Sequence, residues 1–111
     1  METIVHIGGR KRIASQEVVL LLAEQNYTRI FFRNGMVLMV ATTLKTLEER
    51  FKVAGSFFRP NRTAMLNMQF MSACNNHTIT INNNQTFKIS RRRQSGFTNF
   101  QHSFHQKSIL S

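Results

Sequence analysis

Three short polar clusters carry the chemistry of this chain: Asn26-Tyr27-Thr28-Arg29, Arg59-Pro60-Asn61-Arg62-Thr63 and Ser90-Arg91-Arg92-Arg93. Each stands at the edge of an apolar, strand-like run. An arginine fork can grip phosphate oxygens or read a base edge, and small polar neighbours add further donors and acceptors. Almost nothing neutralises these clusters. Lys and Arg number 15 and Asp and Glu 5, for a formal net charge of +10 and a pI near 11.5. A polyanion is the expected partner. Nucleic acid is expected rather than a membrane surface, because no segment reads as a basic amphipathic helix of useful length.

The same inventory argues against several other chemistries. The chain has no Asp, and its five Glu are scattered at positions 2, 17, 24, 48 and 49. A two-metal carboxylate site of the kind a small basic nuclease would use is hard to assemble from them. His102 and His105 form an H-x-x-H pair without a third ligand nearby, so no metal is expected. His6 and His77 read as lone strand residues. A single Cys, Cys74, excludes an intramolecular disulfide and reads as a small, partly buried apolar residue. We expect no catalysis, no cofactor and no small-molecule substrate. The longest apolar runs, 18–23 and 36–41, are strand-sized, against the roughly 20 residues of a membrane-crossing helix. No secretory signal is visible, and a cytoplasmic location is the expectation.

The elements that must position the clusters follow from periodicity. A hydrophobic fraction of 41% over 111 residues suits one folded domain. Residues 3–7 read as a strand closed by Gly8-Gly9, with Arg10-Lys11-Arg12 in a turn. The unbroken apolar run 17–23 reads as a buried strand. Residues 27–32 and 36–40 read as a hairpin joined at Asn34-Gly35, a pair that accepts positive φ. Leu44, Leu47 and Phe51 recur at helical spacing and predict a short amphipathic helix over 43–51. Short strands are expected at 64–67, 69–73, 77–82 and 86–89, the last two forming a hairpin about the Asn-rich turn. Ser90 is expected to cap a last helix ending at about Phe100. The fold class is therefore mostly β: small antiparallel sheets of about ten short strands, with one short middle helix and a C-terminal helix. Residues 1–101 are expected to form the domain, and 102–111 a frayed polar tail.

In this order the elements resemble a LytTR-type DNA-binding domain, the effector module of many bacterial response regulators. Glu17-Val18-Val19-Leu20-Leu21-Leu22-Ala23-Glu24-Gln25-Asn26-Tyr27-Thr28 is similar to that family's apolar strand ending in Asn-Tyr-Thr. Arg33-Asn34-Gly35 matches its hairpin, and Leu44-Lys45-Thr46-Leu47-Glu48 its helix. Phe58-Arg59-Pro60-Asn61-Arg62-Thr63-Ala64-Met65-Leu66-Asn67 resembles its signature F-x-R-x-H-R-S-x-x-V-N, and Ile89-Ser90-Arg91-Arg92 its closing V-S-R-R. The resemblance spans roughly residues 3–100. Asn61 stands where the family has His, Thr63 where it has Ser, and Leu22 where an acid is common. A stand-alone domain without a receiver is the expectation, since a chain lacking Asp has no phosphoacceptor aspartate.

The resemblance implies a sequence-specific, double-stranded DNA-binding transcription regulator. Its loop residues would enter successive major grooves, bend the duplex and bind direct repeats as pairs, with a homodimer forming on DNA. Arg62 aligns with a base-contacting position, where a bidentate bond to guanine is the expected contact. Asn61 and Thr63 would reach a base edge or phosphate, or else bond within their own turn. Arg92 aligns with another contact position. Arg91 and Arg93 flank it, and one or two of the three are expected on DNA with the remainder in solvent. Ser90 would present backbone N–H groups to a phosphate. Thr28 aligns with a third contact position, beside Asn26, Tyr27 and Arg29, and the Tyr27 ring is expected to wedge into the core edge. Lys11 and Arg12 are candidates for phosphate contacts, and Asn67 is expected to be structural. The rival reading is a single-stranded RNA- or DNA-binding β module, which would expose aromatics for stacking.

Overall fold

The stretch Val18–Glu24 is apolar up to its last residue because it is covered on both sides: Leu20 enters one core and Leu21 the other. It is the third of ten strands in the computed structural model, which describes residues 3–82 and 84–110, with side chains through Phe104. The strands are β1 Ile4–Gly8, β2 Lys11–Ala14, β3 Val18–Glu24, β4 Tyr27–Phe32, β5 Val37–Val40, β6 Phe57–Asn61, β7 Ala64–Asn67, β8 Met71–Cys74, β9 Thr78–Ile81 and β10 Thr86–Lys88. Helix α1 is Leu44–Phe51 and helix α2 is Gln94–Leu110.

All strand pairs are antiparallel. A five-stranded sheet in the order β5-β4-β3-β7-β6 forms the middle layer. The β1-β2 ribbon and α1 cover one face, burying Val5, Ile7, Leu44, Leu47 and Phe51. The β10-β9-β8 sheet and α2 cover the other, burying Ile79, Ile81, Ile89 and Phe97. Burial of each such side chain contributes about 1.5–3 kcal/mol. Thr43 caps α1, its Oγ1 accepting from Thr46 N at 3.3 Å. Phe58 packs on Phe97 and Phe100, with ring centroids 5.0 and 5.4 Å away, and Phe100 stacks on Phe104 at 5.6 Å.

The mostly β architecture and both helices agree with the sequence expectation, but several local assignments change. Lys11 and Arg12 belong to β2; the turn before them is Gly9-Arg10, which with Gly8 at the end of β1 has positive φ. Residues 57–61 form an edge strand. Pro60 is tolerated there because β6 has no outer partner and its register slips between Phe58 and Asn61. A 3-10 turn, Met68–Phe70, precedes β8. Asn67 anchors it, with Oδ1 accepting from Gln69 N at 3.1 Å and Nδ2 donating to Val18 O at 2.8 Å. Asn67 is fully buried and structural, as expected. Ser90 makes no side-chain cap: Arg91–Arg93 form a 3-10 turn, and α2 starts only at Gln94. That helix runs on to Leu110 instead of stopping near Phe100, because the apolar stripe of Phe97 and Phe100 continues to Phe104.

Candidate nucleic-acid interface

Because β3 is antiparallel to both β4 and β7, the β3–β4 turn at Gln25-Asn26 and the β6–β7 turn at Arg62-Thr63 lie at the same end of the sheet. There Ala23 N donates to Thr63 O at 2.8 Å. The β5–α1 loop arrives at this end too, since Val40 is opposite Thr28. A relay of two threonines secures it: Thr28 Oγ1 donates to Thr42 O at 2.7 Å, and Thr42 Oγ1 donates to Ile7 O at 2.8 Å. The relay brings the β1–β2 turn alongside. Gly8 is required at this point, because its φ is +124° and a Cβ there would collide with Thr42 Oγ1. The exit from β10 is tied in through Asn61 Nδ2 to Lys88 O at 2.8 Å and Ser90 N to Pro60 O at 2.9 Å.

The β6–β7 turn at the centre of this edge is held from inside and outside. Inside, Asn61 Oδ1 accepts from Thr63 N and Thr63 Oγ1, both at 2.9 Å, and from Ala64 N at 3.1 Å. Outside, Arg59 Nη2 donates to Arg62 O at 2.9 Å and Arg59 Nε to Asn61 O at 3.3 Å. The backbone of Arg62 is thus fixed while its side chain is exposed, with no hydrogen bond or ion pair among the described residues. Two grooves flank the turn. Gln25, Thr43, Lys45, Arg59, Arg62 and Thr63 line one. Asn61, His77, Lys88, Ser90, Arg91 and Gln94 line the other.

The sequence-predicted residues divide into three groups. Arg62, Thr63, Arg91, Arg92, Asn26, Tyr27, Lys11 and Arg12 are exposed. Tyr27 does not wedge into the core edge, because it projects from the β4 face opposite Thr28 and Ile30. Arg29 is exposed but ion-paired with Glu24 at 2.6 Å, and Ser90 is half-buried. Two assignments, Thr28 and Arg93, are corrected, and for Asn61 one of two open roles is filled. Thr28 is fully buried and spends its hydroxyl on Thr42, so it positions loops and has no surface to offer DNA. Asn61 commits its carboxamide to closing the turn, the local one of the two roles its sequence left open. Arg93 is half-buried and turned toward the protein, with its guanidinium committed to Glu48 and Arg59 and not left free in solvent. In a 3-10 turn successive side chains are about 120° apart, and Arg93 takes the direction facing α1, where Nη1 lies 3.2 Å from Glu48 Oε2 and 3.1 Å from Arg59 O.

Three residues of this edge escaped sequence reading. Lys45 and Lys88 are exposed cations beside the grooves; Lys88 had a visible signal in its place just before the Ser90 cluster, whereas Lys45 lies far in sequence from every cluster. Glu48 had none, because its partners Arg59 and Arg93 lie 11 and 45 residues away. Among the described residues no group of three His, Cys, Asp or Glu could hold a metal ion, and no helix is long and apolar enough to cross a membrane. The His105 side chain of the H-x-x-H pair lies outside the described residues.

A β domain that gathers unpaired Arg and Lys from several loops onto one edge has the form of a nucleic-acid-binding module. The LytTr DNA-binding domain model matches residues 9–101, and the chain belongs to that family of DNA-binding domains. Among solved structures it is similar to the LytTr DNA-binding domain of a Bacillus cereus protein described as a methyl-accepting/DNA response regulator. The TM-score is 0.64 at 16% identity, covering 90% of this chain and 95% of that one. None of the curated proteins matches the sequence.

Proposed function

We propose that this edge binds duplex DNA sequence-specifically in transcription control. Arg62 enters a major groove to read a guanine, while Lys11, Arg12, Lys45, Lys88, Arg91 and Arg92 contact phosphates. The observation that carries this reading is the β6–β7 turn. Its backbone is pinned by Asn61 and Arg59, and it offers an uncommitted arginine fork between two cation-lined grooves. A fork held in register is what discriminates one base pair from another. We further propose that copies bind direct repeats as pairs on cytoplasmic DNA, and that no phosphoacceptor aspartate within these residues controls them, the sequence having no Asp.

A single-stranded ligand is less well served. All ten Phe are buried or half-buried, which leaves Tyr27 as the exposed aromatic near the edge. Selection from a random duplex library, followed by footprinting of the enriched sequence, tests the proposal. About six neutralised phosphates give a log–log salt slope of roughly −5. Failure to enrich any duplex, with single-stranded RNA bound better than duplex, would remove the proposal.

A further inference from the structure

We infer that Glu48 is a positioning residue for sequence reading, acting through Arg59 and Arg93 on the turn that carries Arg62; this rests on the reading of Arg62 proposed above. Glu48 stands on α1 and spreads its carboxylate between two guanidinium groups. Oε1 accepts from Arg59 Nη1 at 3.0 Å and Oε2 from Arg93 Nη1 at 3.2 Å. Arg59 has all three nitrogens committed: one to Glu48, one to Asn61 O and one to Arg62 O. Arg93 closes the ring by also donating to Arg59 O at 3.1 Å. The path from the carboxylate to the Arg62 backbone is therefore a single guanidinium wide.

Burial makes this path stiff. The Arg59 side chain is only 12% exposed, Glu48 29% and Arg93 30%, whereas the other ion pairs have both partners at 46% or more. Without the carboxylate, two like charges would face each other at short range in a partly dry site, which favours their separation. Arg59 would then leave Arg62 O, and the readout fork would lose its fixed base. No exposed loop contact explains an acid at this point. A lone carboxylate repels a polyanion, and this one is neutralised by the two guanidinium groups it holds in place.

Charge and positioning predict opposite outcomes. If Glu48 acts only through its charge, Glu48→Gln raises the affinity for every duplex by the same factor. If it positions the turn, Glu48→Gln binds unrelated duplex as well as wild type or better, yet loses preference for the enriched one. The expected fall in the selectivity ratio is at least about fivefold, the lower end of what one bidentate base contact supplies. The experiment measures Kd of the full chain for the duplex enriched by wild type and for a scrambled duplex, with circular dichroism confirming the fold. Amide hydrogen exchange at Arg62 and Thr63 is the second readout and should accelerate in the variant. Equal tightening on both duplexes, with exchange unchanged, overturns the inference. Should Glu48→Gln fail to fold, Arg93→Gln takes its place: positioning predicts loss of selectivity, and equal weakening on both duplexes overturns it. A wild-type protein without preference for any duplex refutes the reading of Arg62 itself and overturns this inference with it.

Discussion

Asn61→Ala separates a turn-closing residue from a base reader. In the structure the Asn61 side chain makes four hydrogen bonds: three accepted by Oδ1 from Thr63 N, Thr63 Oγ1 and Ala64 N, and one donated by Nδ2 to Lys88 O. Three of the four are exposed to water, which replaces part of what is lost, so each is taken at the lower end of the net range for a protein hydrogen bond. At about 0.5 kcal/mol each, the substitution costs about 2 kcal/mol. For a chain of this size that is a fall in Tm of about 8 °C. Thermal melts followed by circular dichroism in the absence of DNA read it directly. An unchanged Tm together with weakened, less selective binding would refute the argument, because it would mean that the carboxamide serves the ligand and not the turn.

Three further outcomes follow from the same geometry. Thr28→Val keeps the shape of the buried side chain but leaves Thr42 O without its donor; it should destabilise by about 1–2 kcal/mol in denaturant melts, with DNA selectivity unchanged. Arg62→Ala should relax base preference at one position of the selected site, whereas Lys11→Ala should lower affinity alike for all duplexes, as parallel binding isotherms would show. Gly8→Ala should destabilise more than Gly9→Ala, since both have positive φ but only Gly8 faces Thr42 Oγ1; differential scanning calorimetry of the pair decides it.

Strong local periodicity made most of the fold legible. The run at β3, the helical spacing of Leu44, Leu47 and Phe51, and the Asn34-Gly35 turn each stand where the sequence placed them, with Gly35 at φ 92°. The edge strand β6 was hidden by Pro60, which reads as a break until the sheet order shows that no partner is missing. Thr28 was misjudged by its chemistry. A hydroxyl beside an arginine looks like a ligand contact, although strand alternation places Thr28 on the same inward face as Ile30. The Arg91-Arg92-Arg93 run announced positive charge but not direction. Direction depended on a 3-10 turn and on Glu48, whose pairing with Arg93 spans 45 residues. Composition disclosed the kind of partner, local pattern the elements, and only tertiary contact which arginines are free.

The bonds that tie the end of β3 to Thr63, Asn61 to Lys88 and Pro60 to Ser90 just ahead of the Arg91–Arg93 turn leave the distance between the Arg62 and Arg91 arms little freedom to adjust. Were so inflexible a caliper to meet a double helix as proposed, elastic accommodation would fall on the helix. Bending 20–30 base pairs smoothly by 40–90° costs of order 1–6 kcal/mol and is easiest at pyrimidine–purine steps. On the duplex-binding reading proposed above, the compliance of base steps the protein never touches would then enter its choice of where to settle.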